Sequence, residues 1–80
     1  MSKKSDDNYQ QQHAAIGLYI KELRLNTNLT QQELGENANI HRNSISRAEN
    51  GNNITLQALF ILAEYLKTSP AEILSIIDDM

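Results

Sequence analysis

Leu29-Thr30-Gln31-Gln32-Glu33-Leu34, followed after a short polar stretch by Ile45-Ser46-Arg47-Ala48-Glu49-Asn50-Gly51, decides the fold of this chain. Thr30 and Glu33 stand at capping-box spacing. The hydroxyl can accept from the Glu33 amide while the carboxylate reaches back to the Thr30 amide. A helix therefore starts at Gln31, with Leu34 and Ala38 on its buried face. It ends before Asn39, because asparagine is the non-glycine residue that best tolerates the left-handed conformation needed past a helix end. Ile40 follows as a buried anchor. His41, a mediocre cap, then opens a polar helix from about Arg42 to Asn50, with Ile45 and Ala48 inward and Gly51 as its C-terminal stop.

Outward from this pair the same helical pattern continues. Upstream, Ile16, Ile20 and Leu23 recur on one helical face that stops near Asn26-Thr27-Asn28, a run of poor helix formers. Asp6, Asp7 or Asn8 can cap this helix, so it begins near Tyr9 or only near His13, and a frayed start is the favoured reading. Downstream, Thr55 caps a helix in which Leu56, Leu59, Leu62, Ala63 and Leu66 cluster on one side, with Phe60 at the margin. Ser69-Pro70-Ala71-Glu72 forms a second capping box with proline at the first helical position, opening a helix to about Ile77 with the stripe Ile73, Leu74, Ile77. No strand-like alternation is present. The prediction is an all-α, compact five-helix domain over residues 13–78, preceded by a flexible polar tail over residues 1–12.

Composition limits what such a domain can do. Eighty residues allow one modest core, with no room for a separate sensing or catalytic unit. Cysteine is absent, so no disulfide or thiolate zinc site supports the fold. The apolar stretches are short and the N-terminus lacks the apolar run of a secretory signal, which reads as a soluble cytoplasmic protein with no membrane role. The net charge of −3 runs against the basic excess usual in nucleic-acid binders. Its distribution matters more. Residues 1–14 and 15–51 are each neutral. The whole deficit lies in residues 52–80, where Glu64, Glu72, Asp78 and Asp79 face only Lys67.

Residues 16–74 resemble the helix-turn-helix domain of lambda-repressor/Cro-like (Xre-type) regulators. The resemblance rests on Ile16-Gly17, Leu23-Arg24, the two stretches quoted first, Leu62-Ala63 and Pro70-Ala71-Glu72-Ile73-Leu74, in that order and spacing. Two residues depart from the family pattern: Gly35 stands where alanine is usual, at about 1 kcal/mol of helix propensity, and Asn39 where glycine is usual. In this motif the third helix, here the one from about Arg42, enters the major groove N-terminus first while the second, here the one from Gln31, crosses the backbone. With Ile45 and Ala48 inward, the outward residues Arg42, Asn43, Ser46 and Arg47 are the candidate base readers. An arginine fork matches guanine O6 and N7, and asparagine pairs with adenine N6 and N7. The resemblance further implies phosphate contacts from Gln31, Ser44, Asn50, Asn52 and Asn53, and an ion pair between Arg24 and Glu49 tying helix 1 to helix 3.

Surplus apolar residues suggest a homodimer. Ile61 and Tyr65 lie outside the helix 4 core stripe and Ile76 at the edge of the helix 5 stripe, so a two-fold contact would bury them. Leu18 and Leu25 form a rival face. A chain with nothing beyond this domain resembles the controller proteins of restriction-modification systems and small Cro-like regulators, which respond to their own concentration, with no small-molecule effector or cofactor. The alternatives are an antitoxin that represses its own operon and a protein-protein module on the same fold. No metal site is predicted, His41 having only His13 as a possible companion. Lys3 and Lys4 read as part of a solvated tail, with a DNA-contacting arm as the alternative. No phosphate loop or nucleophile-base set supports an enzyme.

Overall fold

A computed structural model describes the backbone of residues 2–78 and Met80, and side chains from Tyr9 onward apart from residue 79. Five helices follow in order: α1 (Ser2–Asn26), α2 (Gln31–Ala38), α3 (Arg42–Glu49), α4 (Leu56–Tyr65) and α5 (Pro70–Ser75). No strand occurs among the described residues. The start of α1 differs from the sequence reading. Its backbone is helical from Ser2, so it includes residues read as a tail. Residues 2–13 contain neither glycine nor proline, and their lack of apolar periodicity removes the packing signal without breaking the helix. The side chains of Lys3, Lys4, Asp6, Asp7 and Asn8, invoked as arm or cap, lie outside the described residues.

Local chemistry sets the other boundaries. Thr30 forms the full capping box: Glu33 N donates to its Oγ1 at 3.0 Å, and Thr30 N donates to Glu33 Oε1 at 2.9 Å. At α5 only half of the second box forms. Glu72 N donates to Ser69 Oγ at 3.0 Å, but the Glu72 carboxylate accepts from the Thr68 hydroxyl instead, at 2.9 Å. Four helix ends turn through a left-handed residue: Asn28, Asn39, Gly51 and Lys67. Only Gly51 does so without crowding a Cβ. After α3 the amides of Gly51 and Asn52 donate to the carbonyls of Ala48 (3.1 Å) and Arg47 (2.9 Å), the paired bonds of a Schellman ending.

Ile16, Ile20, Leu34, Ile45, Leu59, Leu62, Leu66 and Ile73 form the centre of the core. α1 packs along α3, α3 against α2, and α4 joins α2 to α5, which returns to α1. Three residues of the predicted stripes are not covered. Leu56 is 67% exposed and Phe60 55%, and Leu74 is also exposed. Leu56 is the first residue of α4, whose buried residues begin only at Leu59, while six-residue α5 buries Ile73 alone. Gly17 lets α1 and α3 meet backbone to backbone: a Cβ there would overlap the Ala48 carbonyl oxygen and stand 2.9 Å from that of Glu49. Gly35 is similarly confined, since its Cβ would overlap the Ile40 carbonyl oxygen. Its propensity cost is thus exchanged for a tight turn into α3.

Candidate nucleic-acid interface

α2 and α3 are joined by Asn39, in the left-handed conformation at φ 57° and ψ 43°, and by Ile40, whose amide donates to the Gly35 carbonyl at 2.8 Å. This tight turn sets α3 across α2. Ile45 and Ala48 are buried under α3, which turns its opposite face to solvent. Arg42, Asn43, Ser44 and Arg47 are exposed there, and Ser46 is half-buried. Neither arginine side chain enters an ion pair or hydrogen bond among the described residues. Two unneutralised cations and a free amide therefore occupy the outer face of a helix narrow enough for a DNA major groove.

The third arginine is used differently. Arg24 on α1 is buried, and its guanidinium grips Glu49 at the end of α3 through two bonds, Nε to Oε2 at 2.6 Å and Nη2 to Oε1 at 3.0 Å. Its remaining nitrogen, Nη1, donates to the Leu29 carbonyl at 2.8 Å. Gln31 Nε2 donates to the same Glu49 carboxylate at 2.9 Å. The buried Arg24–Glu49 pair thus ties α1, the loop before α2, the first residue of α2 and the end of α3. The orientation of α3 relative to α2 depends on that cluster. The Gln31 bond escapes a sequence reading, because the two residues are distant in the chain and glutamine at a helix start signals no partner.

The remaining candidates are dispersed around this face. Asn50 is the C-cap of α3, and Asn52 Nδ2 donates to the Arg47 carbonyl at 3.1 Å, bracing the helix end. Asn53 is exposed in the following loop, where it shares a depression with Tyr9, Gln10 and His13 of α1. His41 lines a different depression, between α2 and the start of α3, so the two histidines do not meet. No group of His, Asp or Glu with metal-site geometry occurs among the described residues. Nor is any described helix long and apolar enough to cross a membrane. Of the candidate dimer residues, Tyr65 is 42% exposed, while Ile61 and Ile76 are half-buried against the core. Leu18 and Leu25 on α1 are exposed.

A fold of five helices with a free, doubly cationic α3 face defines a helix-turn-helix DNA-binding protein. The chain matches the family model for the helix-turn-helix (HTH_3) over residues 20–73 and belongs to that family, the Xre/lambda-repressor-like group. It is accordingly a DNA-binding transcription regulator, of a family that is typically non-enzymatic and that binds double-stranded DNA. No curated protein matches the chain.

Proposed function

We propose that residues 13–78 form a sequence-specific operator-binding unit that acts as a homodimer on a near-palindromic site. The observation that carries this reading is the pair Arg42 and Arg47, exposed and unpaired on the outer face of α3. Their position near the start and on the outer face of α3 supports a role at base edges, since the recognition helix of this motif enters the major groove N-terminus first. Arg42, Asn43, Ser46 and Arg47 read bases. Gln31, Ser44, Asn50, Asn52 and Asn53 contact phosphates, which position the protein without selecting sequence. The Arg24–Glu49 pair holds the reading helix in register.

Dimerisation is assigned to Ile61, Tyr65 and Ile76, where a two-fold contact would set the reading helices about 34 Å apart, one turn of DNA. Tyr65→Asp should then convert the dimer to monomer in sedimentation. Phe60→Asp, on another side of α4, should leave it dimeric. The biological role that fits is an autoregulating controller or Cro-like protein responding to its own dose, because dimerisation and operator filling both rise with concentration.

Genomic SELEX at near-physiological salt, run with the wild type and with Arg42→Ala/Arg47→Ala, tests the reading. Enrichment of a two-fold symmetric site with half-site centres about 10 bp or a multiple apart, lost in the variant, supports it. Weak, steeply salt-dependent binding with no enriched sequence overturns it.

A further inference from the structure

His41 is an unusual residue to open a recognition helix. Serine, threonine, aspartate and asparagine cap more strongly. Its Nδ1 nevertheless accepts a hydrogen bond from the Asn43 amide at 3.0 Å, with His41 backbone at φ −61° and ψ 139°. A ring nitrogen that accepts carries no proton. The neutral ring must then hold its single proton on Nε2. Nε2 lies across the ring from the cap, the residue is exposed, and no acceptor among the described residues engages it. The cap therefore fixes a tautomer whose outward edge is a donor.

That donor stands immediately before Arg42, at the end of α3 that enters the groove first. A serine cap keeps its single hydroxyl proton close to the helix end, and an aspartate cap has only acceptor oxygens to present. The imidazole reaches past the cap. Resting on the operator-binding reading above, we propose that His41 caps α3 through Nδ1 while Nε2–H donates to a hydrogen-bond acceptor on the operator. The acceptor is either a base-edge nitrogen or oxygen or a phosphate oxygen. The weak cap is thereby turned into a DNA contact with fixed donor polarity, one that demands an acceptor where it lands.

The test substitutes His41→Ser, which keeps a capping oxygen and removes the ring nitrogen donor that reaches beyond it. Thermal unfolding should show the melting temperature retained or raised, while affinity for the enriched operator falls about five- to tenfold, the scale of one hydrogen bond. Binding to all single-base operator variants distinguishes the sources. Discrimination lost at one position identifies a base acceptor, and a uniform loss across sequences identifies a phosphate. Unchanged affinity and unchanged discrimination overturn the proposal. Nitrogen-15 imidazole spectra of the wild-type complex give a second measurement that needs no variant. A slowly exchanging Nε2 proton should appear on operator binding, and a ring still in fast exchange with water would contradict the assignment. Should the wild type enrich no operator, the parent reading fails first. Should it enrich one that His41→Ser binds equally well, only this inference falls.

Discussion

Replacing Gly17 with alanine sets helix propensity against packing. On an open helix the change gains about 1 kcal/mol. Here the added methyl would meet the backbone of α3 rather than a movable side chain. It would overlap the Ala48 carbonyl oxygen and lie 2.9 Å from the Glu49 carbonyl oxygen and 3.0 Å from its carbon, where ordinary contacts begin at 3.4 Å. The Ala48 carbonyl is held by the Gly51 amide, which donates to it at 3.1 Å, so α1 must separate from α3 by roughly half an ångström or more, in an interior packed as densely as a crystal. Overpacking of this kind costs about 1–3 kcal/mol and occasionally more. With unyielding backbone as the obstacle the upper end applies, which leaves a net loss of about 2 kcal/mol after the propensity gain. For a domain of this size each kcal/mol moves the melting temperature by about 4–8 °C, so Gly17→Ala should melt about 8–16 °C lower. Thermal scans followed by far-UV circular dichroism measure this directly. A melting temperature equal to or above that of the wild type would refute the claim that α1 and α3 meet through this glycine.

Other consequences follow from the caps and the buried pair. Thr30→Ala removes the hydroxyl that accepts from Glu33 N and should cost about 1 kcal/mol in urea unfolding, the typical worth of an N-cap. Lys67 is held at φ 62° past the end of α4, so Lys67→Gly should stabilise by about 0.5–1 kcal/mol in the same assay, against the usual direction for glycine. Arg24→Met strands the Glu49 carboxylate, whose side chain is 2% exposed, with only Gln31 as a partner, and should cost about 3–5 kcal/mol. The double variant Arg24→Met/Glu49→Met should lose clearly less than the sum of the two single changes, as a double-mutant cycle would show.

What was legible in the sequence was chiefly local. The cap at Thr30 pairs residues three apart, and the stops at Asn39 and Gly51 depend on single residues that tolerate left-handed backbone, so α2 and α3 fall where their sequence signals place them. The core residues Ile20, Leu34, Ile45, Leu62 and Ile73 follow from helical periodicity. Long-range geometry was not legible. Leu56 satisfies the same wheel as Leu59 but is exposed where Leu59 is buried, and periodicity carries no record of where a neighbour ends. The Glu72 carboxylate could accept from the Ser69 amide, completing the box, or from the Thr68 hydroxyl, and in the fold it accepts from Thr68. The start of α1 was invisible because polar residues without breakers are compatible with helix and tail alike. Gln31 meets Glu49 only through the crossing of α2 and α3.

The central claim is that the outer face of α3 selects a DNA sequence. The most direct measurement is the ratio of dissociation constants for the enriched operator and a scrambled duplex of equal length, at one near-physiological salt concentration. The expected preference is at least about a thousandfold, collapsing when Arg42 and Arg47 are replaced by alanine. A ratio near one, with both duplexes released together as salt rises, would contradict it.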